Sequence, residues 1–148
     1  MGFSMKKDNR KNIGSTGEKL VETELANLGY KIIAKNLRLP QFTRAGEIDV
    51  LALNPKKNGL LLCEVKTRSF SICDGRVPVI SQNQYRRIQN ARKWIQVWLE
   101  KGSLEEVLVN EKLNQLLKDK VNRRTQVQVV VFKVDLDVSK VEIILPSW

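Results

Sequence analysis

The stretch 46–68, GEIDVLALNPKKNGLLLCEVKTR, decides the fold. Glu47 to Leu53 begins with charges alternating with aliphatic residues and then turns apolar. Asn54-Pro55-Lys56-Lys57-Asn58-Gly59 is turn chemistry, and Leu60 to Thr67 resumes the β-forming run. Two such runs joined by a short Asn/Pro/Gly segment predict an antiparallel hairpin. In extended chain, residues two apart share a face at steps of roughly 7 Å, so Glu47 projects with Asp49 and Glu64 with Lys66. Pairing the strands would gather three carboxylates and one ammonium on one surface. Carboxylates crowd in this way chiefly around a divalent cation.

The rest of the composition narrows that chemistry. The chain has 148 residues, 42% apolar and 28% charged, the size and balance of one globular domain. No apolar run is long enough for a bilayer, and Met1 to Ile13 lacks the apolar core of a signal peptide, so a cytoplasmic protein without a membrane partner is expected. The net charge of +10 and pI of about 9.8 favour polyanions, nucleic acid above all, against the plainer reading of a solubility surplus. There is no histidine and there are only two cysteines, which excludes Ser-His and Cys-His catalysis and argues against structural zinc. Carboxylates, lysines and a hard cation remain, and oxygen ligands suit Mg²⁺ or Mn²⁺.

Outward from the hairpin, residues 1–13 read as a basic mobile arm and 14–148 as a single domain. Ser15-Thr16-Gly17-Glu18 is a capping-box pattern that predicts a helix start, with Leu20, Val21, Leu25 and Leu28 on the buried face and Gly29 at its end. Tyr30 to Leu37 reads as a strand. A long helix is expected from Ser81 to Lys101, burying Ile88, Ala91, Ile95 and Leu99, and further helix over Leu104 to Val121, broken in phase near Asn110. Gln126 to Leu136 and Val141 to Leu145 complete the pattern as two strands. Helix, three strands, two helices and two strands imply an α/β domain with a mixed central sheet and helices on its faces.

Each candidate residue has a plainer reading beside the functional one. Asp49 interrupts an apolar strand, where an unpaired charge is costly, yet it would also fit a solvated sheet face or a pair with Arg44. Glu64 repeats that logic after Leu60-Leu61-Leu62-Cys63. Lys66 suits an ammonium that holds an attacking water and offsets charge on a phosphoryl group, or simply an ion pair with Glu64. Glu18 has a capping role available to it, and Glu22 one turn on would share its face. Glu47 fits an outer ligand or an orienter of Lys66 or Arg68.

In order along the chain stand Gly17-Glu18, Leu28-Gly29-Tyr30, Asn36-x-Arg38, Gly46-Glu47-Ile48-Asp49 and Glu64-Val65-Lys66-Thr67-Arg68. Asp49, fourteen intervening residues and Glu64-Val65-Lys66 resemble the PD-(D/E)XK nuclease signature. The ordered set resembles the bacterial YraN-like family of uncharacterised, endonuclease-like proteins, itself similar to archaeal Holliday-junction resolvases. The resemblance covers residues 14–100 well and implies a restriction-endonuclease-like αβββαβ core with an inserted segment over 104–124. It implies metal ligands at Asp49, Glu64 and the Val65 carbonyl, a catalytic Lys66, and an accessory acid at Glu18. Arg44, Arg68, Gln84, Arg86 and Arg87 are the expected nucleic-acid contacts. The chain departs from the family's pattern at Gln84, where a lysine is usual, and at Gln128, where an aspartate is expected.

Three function classes follow. The first is a Mg²⁺-dependent endonuclease on DNA, branched or single-stranded. The second is a nucleic-acid-binding protein with a nuclease fold and no useful turnover, motivated by the basic face of Arg86, Arg87, Arg92 and Lys93. The third is a homodimer or scaffold built on Trp94, Trp98 and the helix from Leu104.

Overall fold

The hairpin forms where the sequence places it. In the computed structural model, which describes residues 2–39, 47–68, 80–102 and 107–144, strands β2 (Glu47–Asn54) and β3 (Gly59–Arg68) pair antiparallel through Val50↔Cys63 to Asn54↔Gly59. The turn closes because the buried Asn54 side chain accepts the Lys56 and Lys57 N–H groups at 3.1 and 3.2 Å, and Asn58 takes the left-handed conformation at φ 50°. Strand β1 (Lys31–Arg38) pairs antiparallel with β2 on the outer side.

Helix α1 (Gly2–Asn27) precedes β1, and helices α2 (Gln82–Lys101) and α3 (Val107–Leu117) follow β3. Strand β4 (Gln126–Asp135) then lies parallel to β3, and β5 (Lys140–Ile144) antiparallel to β4. The result is the expected α/β architecture, a mixed five-stranded sheet in the order β1-β2-β3-β4-β5. The parallel β3–β4 pair requires a crossover, and α2 and α3 supply it.

Each face of the sheet has its own core. On one, Ile88, Ala91, Ile95, Trp98 and Leu99 of α2 and Leu113 and Leu117 of α3 cover Ile48, Leu51, Leu53, Leu60 and Leu62. On the other, Val21 and Leu25 of α1 pack on Val50, Ala52, Leu61, Cys63, Phe132 and Val134. Strands β2 and β3 are thus buried on both sides, which explains their nearly unbroken apolar runs. No described helix is long and apolar enough to cross a membrane.

Three expectations change. Helix α1 starts at Gly2, so it runs through the expected start at Ser15 and through the segment read as an arm. A capping box acts only where the chain before it leaves the helix, and residues 2–14 do not. The capping box that does form is at α2, where Ser81 Oγ accepts the Gln84 N–H and Gln84 Oε1 accepts the Ser81 N–H, both at 3.1 Å. Leu28 is 63% exposed, one residue past the end of α1 at Asn27, where Gly29 at φ 92° turns the chain into β1. Residues 107–117 are one helix without a break at Asn110, whose side chain accepts the indole N–H of Trp98 and ties α3 to α2.

Candidate functional site

Strands β2 and β3 part company at their far end. Their ladder stops at Val50↔Cys63, while β1 stays paired to β2 as far as Arg38↔Glu47 and β3 to β4 as far as Arg68↔Asp135. The sheet therefore forks between its two central strands, and Asp49 and Glu64 stand at the fork. Val65 N–H, two residues beyond the last pair, donates to Asp49 Oδ2 at 2.8 Å. A side-chain carboxylate thus continues the ladder where the β2 backbone has left, and such a charge-assisted bond contributes about 1.5–3 kcal/mol.

Charge is concentrated there with little water to screen it. Asp49 and Glu64 lie close enough to perturb each other's carboxyl, and Lys66 Nζ lies 3.3 Å from Glu64 Oε1, with the Lys66 and Glu64 side chains 18% and 15% exposed. Burial first, and then the Asp49 charge, push Glu64 up to about 7, against the pull of Lys66. Burial also raises Asp49, opposed by the Val65 N–H bond. Of the two, Glu64 is pushed towards the protonated form more than Asp49, because the backbone bond favours a charged Asp49.

From the opposite face α1 brings Glu18 to the same fork. Its carboxyl is raised by burial, then by the nearby Asp49 and Glu47 charges, while the Asn36 amide donates a hydrogen bond that favours the charged form. Asn36 sits in β1 at φ 49°, a kink in the strand beside α1. Glu22 is not a substitute for Glu18, since its carboxylate is paired with Lys35 at 3.1 Å. Close approach of α1 depends on Gly17, where an added Cβ would lie 1.9 Å from Thr67 Oγ1. That hydroxyl is buried and has no hydrogen-bond partner among the described residues.

The structure brings together Glu18, Asp49, Glu64, Val65 and Lys66 and draws Glu47 partly aside. Glu47 accepts from Arg38 at 3.4 Å, its register partner on β1, while its charge still lies near enough to raise Asp49 and Glu18. Among the described residues no three Asp, Glu, Cys or His side chains are grouped to hold a metal ion. Two neighbouring, half-buried carboxylates remain, partly offset by Lys66. That donor set fits Mg²⁺ or Mn²⁺, which needs one or two carboxylates and takes the remaining oxygens from water and phosphate.

Arg86 and Arg87 are exposed on the first turns of α2, and Gln84 beside them is engaged in the cap. Arg44 and the side chain of Arg68 lie outside the described residues, although Arg68 itself closes β3. Trp98 is buried core, and Trp94 is 37% exposed. Sequence reasoning missed Asn36 as the partner of Glu18, although it stands in the quoted motif. It also missed Lys133, which the β3–β4 register places beside Lys66. Parallel pairing across a helical crossover carries no local signal that could have found it. Cys63 is buried, its thiol pushed up to about 12 by burial and by the Asp49 charge, which makes it an inert core residue.

A mixed five-stranded α/β sheet, forked around paired carboxylates and a lysine, is the class these features define. The chain belongs to UPF0102, an uncharacterised protein family, whose family model matches residues 17–132. It is similar to a UPF0102 protein of Caldanaerobacter subterraneus subsp. tengcongensis, 46% identical over 65 residues that are 44% of this chain and 48% of the relative. A UPF0102 protein of Corynebacterium diphtheriae is 37% identical over 81 residues, 54% of this chain and 62% of that one. The match to each of these relatives thus spans less than two thirds of the relative's length. Among solved structures, Pyrococcus furiosus SfsA in complex with Ca²⁺ aligns over 90% of this chain and 62% of its own, at 15% identity and a TM-score of 0.35. A likeness that loose says nothing about activity.

Proposed function

We propose that this chain is a divalent-metal-dependent endonuclease of the PD-(D/E)XK type, of the YraN-like kind, that hydrolyses DNA phosphodiester bonds, with branched or single-stranded DNA as the preferred form. The observation that carries the reading is the fork, where Asp49 and Glu64 stand side by side, Lys66 lies 3.3 Å from Glu64, and Val65 N–H holds Asp49 in place. Asp49, Glu64 and the Val65 carbonyl would hold Mg²⁺ or Mn²⁺, which when bound supplies charge neutralisation at phosphorus and a more acidic water.

The chain's own residues divide the remaining work. The charged form of Glu64 would be favoured by a cation held there, its proton passing to solvent, and Lys66 would share with that cation the neutralisation of the two carboxylates. The Lys66 ammonium then faces the non-bridging phosphate oxygens as negative charge builds there. Glu18, kept close to Asp49 by the Gly17–Thr67 contact and by Asn36, orients or relays a proton from water. Arg86 and Arg87 hold the flanking backbone, with Arg44, Arg68 and Gln84 as further contacts.

The test is a cleavage screen over duplex, single-stranded, flap and four-way-junction DNA with Mg²⁺ or Mn²⁺. Asp49→Ala and Lys66→Ala should each lower the rate by on the order of 100-fold or more while circular dichroism remains native. Equal cleavage by both variants would sink the proposal by revealing a contaminating nuclease. Tight binding without cleavage in any arm would favour the second reading, a binding protein on a nuclease fold.

A further inference from the structure

We propose that the turn between β2 and β3, together with the connection between α3 and β4, forms a second nucleic-acid-binding surface. It takes the phosphate backbone of duplex DNA at the end of the sheet away from Asp49 and Glu64. Lys56 and Lys57 on the turn and Lys118, Lys120, Arg123 and Arg124 on the connection are all exposed. Asp119 is the one acid within these two segments. None of the six basic side chains takes part in an ion pair among the described residues.

The two segments are distant in sequence and bolted together in space. Thr125 Oγ1 donates to Asn58 Oδ1 at 2.6 Å, and Asn58 Nδ2 donates to Asn122 Oδ1 at 3.2 Å. Gln126 N–H donates to the Asn58 carbonyl at 3.0 Å. The backbones of the basic residues are themselves pinned, Lys56 and Lys57 by Asn54 Oδ1 and Arg124 by Asn122 Oδ1 at 2.8 Å. Packing this much like charge together opposes folding at low salt. The hydrogen bonds hold it in place, and an incoming polyanion would relieve it.

The chemistry of the surface selects among polyanions. The charges spread over two turns and do not converge on a pocket, which suits a repeating phosphate chain better than a free phosphate. Neither segment contains an aromatic residue, so nothing there can stack on the bases of a single strand. Neither contains an exposed apolar side chain larger than Pro55 with which to enter a lipid surface. Duplex backbone, read without regard to sequence, is what remains. Glu64 lies five residues along β3 from Gly59, about 17 Å away or roughly five base-pair steps, so one duplex can engage both ends of the strand. Four of the six charges belong to residues 104–124, which gives that segment a binding role.

The inference does not depend on turnover and is tested without metal. The 148-residue chain in EDTA is titrated against a duplex of about 30 base pairs across a salt series. The variant Lys56→Gln/Lys57→Gln/Arg123→Gln/Arg124→Gln should bind about 10-fold or more weaker, with the slope of log K against log salt reduced by about 2–4. Its melting temperature should equal or exceed that of wild type, because the removed groups are exposed and repel one another while the pinning acceptors remain. Arg86→Gln/Arg87→Gln, made in parallel, separates this surface from α2. Unchanged affinity and slope in the quadruple variant would overturn the inference. So would wild type that fails to bind duplex at low salt, or a loss confined to anionic phosphatidylserine vesicles.

Discussion

The two ends of the β2–β3 hairpin solve opposite problems with similar residues. At the turn end, every polar side chain the turn buries is spoken for. Asn54 accepts two backbone N–H groups, and Thr125 both donates to Asn58 and accepts the Asn122 N–H at 2.9 Å. The charges at that end stand in water. At the forked end the strands separate, Asp49 and Glu64 crowd each other out of water, and Thr67 Oγ1 is buried without a partner among the described residues. One end contributes stability and the other spends it. Unrelieved charge and an orphaned hydroxyl persist in a fold only where the surrounding packing enforces them, which is the usual mark of a functional site.

The comparison breaks most readily at Gly17. Gly17→Ala would put a Cβ within 1.9 Å of Thr67 Oγ1 and 2.8 Å of Thr67 Cγ2, and a β-branched side chain has little rotamer freedom to yield. Overpacking of this kind costs about 1–3 kcal/mol, a fall of roughly 3–9 °C in melting temperature. Thr67→Ala alone should be near neutral, since it removes an unsatisfied group, and Gly17→Ala/Thr67→Ala should recover most of the loss. An additive double variant would show that the two residues do not meet.

Glu64 sharpens the contrast through pH. Its folded-state value of about 7 stands above the ordinary 4.5, so the fold binds more protons than the unfolded chain between those values. Metal-free protein should therefore lose stability as pH rises from about 5 to 8, by on the order of 2 kcal/mol. Glu64→Gln should flatten that dependence and melt higher than wild type at pH 8. Urea melts at the two pH values measure it, and an equally steep profile in the variant would remove Glu64 as the cause.

A smaller effect of opposite sign is expected at the turn end. Thr125→Val keeps the shape and deletes a hydroxyl that makes two hydrogen bonds, at a cost of about 1–2 kcal/mol with no pH dependence across this range. If it proves neutral, the tie between the two basic segments is weaker than its geometry implies.

The elements themselves are legible in the sequence because their signals are local. Asn54 to Gly59 announces the turn, and the α2 periodicity names Ile88, Ala91 and Ile95, all buried. Asp49, Glu64 and Lys66 stand out because charges interrupt runs otherwise apolar. The start of α1 is misplaced for the same reason, since a capping box at Ser15 reads identically whether or not helix precedes it. The partner of Glu47 goes unread because Arg38 comes from a third strand.

The sequence by itself determined most of the strands and helices and that carboxylates and a lysine interrupt the central hairpin, since periodicity and composition act within a few residues. Only the tertiary structure decided that β2 and β3 separate beyond Val50↔Cys63, that Asp49 caps Val65, that α1 comes close enough to bring Glu18, and that Lys56 meets the neighbourhood of Arg124. Those are contacts between segments far apart in the chain. They depend on register, crossover and packing, which no local pattern encodes.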